Sequence, residues 1–178
     1  AEYGLGRYEA AGANYTRVLH LLETIDPLPE LDISINLNNQ ALLLDRLGRT
    51  ADALPLQERS IALKRSVMGH DYPRLALPLS HLAGYYAALG RHAEATEAID
   101  EALRLAPTLY AADDVRLGDL HAVAARIALQ REDTATAIGE ANRALAVYEK
   151  SGAANPDDRT ALTALIADAR ARQGAAAR

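Results

Sequence analysis

The chain has 178 residues, 49% of them hydrophobic and 24% charged, with 19 basic against 24 acidic side chains and no cysteine. That balance suits a globular chain with one continuous core, and the net charge of -5 argues against nucleic acid as the main partner, since each neutralised phosphate needs a cation held against it. The lack of cysteine excludes disulfides, zinc-thiolate centres and thiol catalysis, and with no apolar run near the roughly 18 to 20 residues of a membrane span we expect a cytoplasmic protein that binds no membrane.

Read from the N-terminus, Leu5-Gly6-Arg7 opens a pattern that returns as Leu47-Gly48-Arg49 and Leu89-Gly90-Arg91, with the glycines 42 residues apart. Glu132 stands at the next place and Gly174 at the one after. A fixed period of this length marks a stack of repeats that cannot bury their apolar faces singly. Taking Gly6, Gly48, Gly90, Glu132 and Gly174 as turns, we expect helices near 7 to 24, 32 to 47, 50 to 68, 73 to 89, 92 to 105, 113 to 130, 134 to 150 and 156 to 173. Apolar residues recur at three and four within them, as in Leu37, Ala41, Leu44 and Leu47, which is the helical period. No segment reads as a strand.

Local signals mark the helix ends. Pro55 and Pro78 fall about a turn inside their helices, where a missing N–H costs less than it does mid-helix. Asp113-Asp114 and Asn155-Pro156-Asp157-Asp158 read as caps with acids in the first turn. Pro107 and Ser151-Gly152 close the preceding helices. Two columns are alanine throughout: Ala11, Ala53, Ala95 and Ala137 five residues after the turn, and Ala41, Ala83, Ala125 and Ala167 seven before it. Small side chains at fixed places mean helices meeting closely there. Leu19, Ile61, Leu103 and Leu145, with Leu21, Leu63, Leu105 and Val147, supply the larger apolar contacts.

Paired helices, a small residue in each, and a Leu-Gly-Arg turn followed by Tyr8 together resemble the tetratricopeptide repeat over nearly the whole chain. The 42-residue period, the segment Leu37-Asn38-Asn39-Gln40-Ala41-Leu42-Leu43-Leu44 and the connector Met68-Gly69-His70-Asp71-Tyr72-Pro73 resemble the longer variant of kinesin light chain and of many bacterial multidomain proteins. Glu132 departs from the turn glycine, and Thr50 and Thr134 stand where Tyr8 carries its ring. The resemblance implies an all-α, right-handed solenoid of about four helix pairs over residues 1–178. Its first helices would line a concave face that binds a peptide or protein segment.

On that implied face, ten residues before each turn, stand Asn38, Ser80, Ala122 and Ala164; six before stand Leu42, Gly84, Arg126 and Asp168; two before stand Arg46, Ala88, Gln130 and Arg172. In the resembled family an Asn at the first of these places bonds the backbone of a bound peptide, and an Asn side chain offers both donor and acceptor. Asn38, Leu42, Arg46, Ser80, Gly84 and Arg126 are therefore the expected ligand contacts, with Arg46 and Arg126 suited to a carboxylate. Gly84 inside a helix is explained either by close approach of another backbone or by helix packing. On the second-helix side, Arg59, Lys64 and Arg65 either meet a partner or keep the surface wet.

Signals for chemistry are poor. Gly4-Leu5-Gly6 lacks the preceding strand of a dinucleotide site, the five histidines show no metal spacing, and the paired aspartates sit where caps belong. Glu94, Glu97 and Glu101 with Arg91 and Arg104 read as a solvated charged stripe. No cofactor, metal or catalytic residue is expected. The leading expectation is a non-catalytic docking module of a larger bacterial regulatory or signalling protein. The residues leave two others open: a structural spacer or self-association element acting through uncapped ends, and an accessory region of a multidomain protease or nucleotide-driven switch. Ala1-Glu2-Tyr3 is neither a start methionine nor a signal sequence, so further repeats or domains are expected to flank this stretch.

Overall fold

A computed structural model describes residues 2–152 and 155–176. Its described residues form eight α-helices: α1 (Glu2–Leu22), α2 (Glu30–Arg46), α3 (Thr50–Met68), α4 (Ala76–Ala88), α5 (His92–Leu105), α6 (Val115–Gln130), α7 (Thr134–Ser151) and α8 (Pro156–Ala176). Short 3-10 turns at Pro73–Leu75 and Ala106–Thr108 lead out of the connectors. The internal helices match the expected spans closely, and several of their ends carry a local signal. Asp114 caps α6 by accepting the Arg116 N–H at 3.0 Å, and Asn155 does the same for Asp157 at 3.0 Å. Gly152, at φ 64°, closes α7. Neither proline breaks its helix: Pro78 is at the third position of α4, where no intrahelical N–H is needed, and α3 continues through Pro55.

Three turns share one backbone solution. Gly48 and Gly90 sit at φ 73° and 75°, and Glu132 takes φ 63°. In each, the next residue's N–H reaches back to the last helical turn: Arg49 to Leu44 at 2.9 Å, Arg91 to Tyr86 at 2.9 Å and Asp133 to Ala128 at 3.0 Å. This satisfies a carbonyl the helix end leaves open. A side chain in the left-handed region costs on the order of 1 kcal/mol, yet the third turn is not degraded. Asp133 helps to offset that cost by accepting the Thr136 N–H at 3.0 Å, whereas Arg49 and Arg91 at the same place make no side-chain cap.

Turns expected near Gly6 and Gly174 do not form: α1 runs through Leu5-Gly6-Arg7 and α8 runs through Gly174. The internal reversals are held by two helices that pack along their lengths.

Helices α2 and α3, α4 and α5, and α6 and α7 form hairpins, and each hairpin packs on the next through α3 and α4, α5 and α6, and α7 and α8. The first helices α2, α4, α6 and α8 also touch in succession and so form one continuous face. The core runs through the stack as two groups of buried side chains that meet at α6. Ala53, Ala95 and Ala137, and Ala41, Ala83 and Ala125, are fully buried, while Ala11 is half-buried and Ala167 exposed. The alanine columns are therefore the helix crossings. Polar ties cross the same interfaces: Ser60 donates to the Ser34 carbonyl at 2.6 Å, and the buried Gln57 amide donates to Asn38 Oδ1 at 3.2 Å and to the Pro78 carbonyl at 2.9 Å. No helix among the described residues is long and apolar enough to cross a membrane.

Candidate functional site

On the first-helix face the expected contacts are spread rather than gathered. Leu42 is half-buried and Arg46 exposed, and together with Asn39, Leu43 and, on α1, Ala11 and Tyr15 they line a cleft of about 270 Å3. Arg46 makes no hydrogen bond or ion pair within the described residues. Asn38, on the same helix, faces a different cleft. Its Oδ1 accepts from Gln57 at 3.2 Å and its amide donates to Asn39 Oδ1 at 3.5 Å, leaving one lone pair and one N–H. Ser80 is only 7% exposed. Gly84 is half-buried, and a Cβ built on it would meet nothing within 4 Å. Helix packing therefore does not require a glycine there; its lack of a side chain simply keeps the face open. Arg126 is exposed on α6, with α4 between it and Arg46.

The cleft beside Asn38 has a volume of about 510 Å3 and is lined by Asn38, Lys64, Arg74, Leu77, Pro78, His81, Leu109, Tyr110 and Arg116. It contains three permanent cations and no carboxylate, within a chain that is negative overall. Arg116 stacks on the buried Tyr110 ring, 4.2 Å from its centroid, and its Nε donates to Asp114 at 2.9 Å. Held by Arg116, the Asp114 carboxyl falls to about 2. Burial pushes the Lys64 ammonium below its ordinary range. Burial likewise lowers His81, against the pull of Asp45 and with a small push from Lys64, so the ring is neutral at pH 7. Its Nδ1 is buried without a hydrogen-bond partner.

Of this set, sequence columns supplied only Asn38. Arg74, Leu109, Tyr110 and Arg116 come from connectors or from the residues beside them, and Arg74 and Arg116 stand 42 residues apart, one full period. Lys64, on the α3 helix that packs on α4, was expected on the second-helix side and instead lines the cleft. Its neighbours stay outside: Arg59 pairs with Glu23 at 2.6 Å and Arg65 with Glu101 at 2.5 Å, each tying α3 to an adjoining repeat. The charged stripe on α5 is partly tied as well, since Arg104 holds Asp71 of the connector at 2.9 Å.

No group of His, Asp or Glu among the described residues is arranged to hold a metal ion. His121 meets Glu140 across α6 and α7 at 2.7 Å. Gly4-Leu5-Gly6 lies inside α1 and so forms no phosphate-cradling loop.

Residues 32–108 match the family model of the tetratricopeptide repeat. This stretch belongs to the tetratricopeptide repeat family. The fold extends the likeness along the chain. The crystal structure of BtubC (BKLC) from P. vanneervenii superposes with a TM-score of 0.85 at 18% identity, covering 97% of this chain and 68% of that one. A putative kinesin light chain of P. anserina with nearly identical TPR-like repeats gives 0.76 at 17% identity, over 96% of this chain and 81% of that one. No curated protein matches the chain. The architecture is thus about four tetratricopeptide repeats, with eight helices packed pairwise, and such repeats generally serve as protein-binding scaffolds.

Proposed function

We propose that this tetratricopeptide repeat region is a non-catalytic docking module that holds a protein or peptide segment on its first-helix face, as one part of a larger regulatory or signalling protein. The observation that carries the reading is the open state of that face. Gly84 leaves space where a side chain would project, and Arg46 has no intramolecular partner beside the half-buried Leu42. Asn38 lines the neighbouring cleft and keeps one N–H beyond its bonds to Gln57 and Asn39. Side chains without internal partners can meet a ligand without first breaking an internal contact, at the rotamer cost of being ordered.

The test uses peptides selected from a displayed random library against the wild-type chain. The double variant Leu42→Asp with Arg46→Ala should bind them about tenfold more weakly while its helical circular dichroism is unchanged. Equal affinity rejects the docking reading.

A second reading, self-association, is favoured by a different observation. Val18 and Leu21 on α1 are 44% and 59% exposed, while Ala102, Leu105, Ala144 and Val147 at the corresponding places of α5 and α7 are buried. Ile25, Leu28, Leu31 and Ile35 extend the exposed apolar surface into α2, and patches of this kind mark interaction sites. Molar mass that rises with concentration in light scattering supports this reading; a constant monomer mass removes it.

A further inference from the structure

The cleft between α2, α4 and α6 has a chemistry that general peptide docking does not call for. All the charged side chains among its nine lining residues are cationic, and Asn38, whose amide uses one of its two N–H groups on Asn39 Oδ1 at 3.5 Å, adds a donor. Arg116 is already neutralised by Asp114 and braced on Tyr110. Lys64 and Arg74 have neither an ion pair nor a hydrogen bond among the described residues. Lys64 is half-buried, so its charge is partly desolvated with no internal compensation. Asp45 acts on His81 from α2 but does not line the cleft, and its Oδ1 is bonded to Thr50 at 2.7 Å. Two cations lining one cleft thus remain uncompensated. That matches the charge and acceptor count of a phosphate monoester, about -1.5 to -2 with three acceptor oxygens, better than a single carboxylate.

We propose that this cleft is a phosphate-monoester site that recognises a phosphorylated side chain on a docked peptide segment, with Lys64 and Arg74 as its anion contacts and Asn38 as a neutral donor. The proposal rests on the docking reading, since the cleft opens on the face that reading assigns to the segment. An Arg guanidinium supplies directional bonds to phosphate oxygens and a Lys ammonium adds a point charge.

The experiment is an NMR titration of the chain with a capped pentapeptide, phosphoserine flanked by two alanines on each side, beside its serine and glutamate forms and inorganic phosphate. The phosphoserine peptide should shift amides near residues 64, 74, 81 and 116 and bind about tenfold more tightly than the other three ligands. The double variant Lys64→Gln with Arg74→Gln should lose about that tenfold preference with its spectrum otherwise retained. The exposed control Arg172→Gln should keep the preference. Equal binding of the glutamate form makes the cleft a carboxylate site, and equal binding of inorganic phosphate makes it a small-anion site. Absence of shifts at these residues, or a double variant that binds like wild type, leaves it no anion site at all. Each of these overturns the proposal. None touches the docking reading, which stands or falls on Leu42 and Arg46 in the separate cleft.

Discussion

Two helical glycines that look alike in the sequence have opposite physical reasons. A Cβ at Gly84 would stand in open space, but one at Gly118 would lie 2.5 Å from the Tyr148 ring. That ring is 2% exposed and held by a 2.7 Å hydrogen bond from its hydroxyl to Asp119, so it has little room to yield. Gly84→Ala should therefore raise stability by about 1 kcal/mol through helix propensity alone. Gly118→Ala should lower it by about 1 to 3 kcal/mol through overpacking. Urea denaturation of the two variants checks both, and destabilisation by Gly84→Ala would show a packing role that the geometry does not contain. Glu132 gives a third case. Since it occupies the left-handed region that Gly48 and Gly90 occupy, Glu132→Gly should stabilise the chain by about 1 kcal/mol. Calorimetry should register this as a higher Tm.

At the scale of the element, helix starts couple the fold to pH. Asp114 at the start of α6 titrates near 2 because Arg116 donates to it through side chain and backbone, and Asp133 at the start of α7 is lowered chiefly by the Thr136 N–H. In the unfolded chain such a carboxyl keeps its ordinary value near 3.8. The folded state thus binds the proton more weakly, and the stabilisation is fully present above about pH 4 and lost as pH falls toward 2. His81, lowered by burial from 6.5, acts in the same direction from a higher pH, because the unfolded chain takes up its proton first. Thermal melts should show Tm falling modestly below about pH 6.5 and more steeply below about pH 4. Asp114→Asn, which keeps a capping oxygen but no charge, should flatten the steeper part. A profile identical to wild type would mean that the cap contributes nothing through its ionisation.

For the whole molecule, the period carries most of the architecture, and the reason is visible in particular residues. Ala41, Ala83 and Ala125, and Ala53, Ala95 and Ala137, recur at fixed places because each sits at the same helix crossing, and all six are fully buried. Gly48 and Gly90 recur because one turn geometry needs them, and Glu132 shows that the geometry persists where the residue changes. Gly6 and Gly174 fit the period as well, yet both lie inside helices. The candidate contacts were legible by column but not by grouping. Asn38 and Arg46 lie on one helix and serve different clefts.

The local chemistry of the sequence determined the helices, their caps and the order in which they stack, because hydrogen bonds three to five residues apart and side chains of repeated size settle those features. The tertiary structure alone decided that Lys64, Arg74, His81, Tyr110 and Arg116 share one cleft. These residues come from α3, two connectors and the two first helices that follow them. Arg74 and Arg116 stand one 42-residue period apart, and no such spacing links Lys64, His81 or Tyr110 to them. They meet because consecutive hairpins stack there, so the cleft depends on the path of the chain between repeats as well as on the repeat itself.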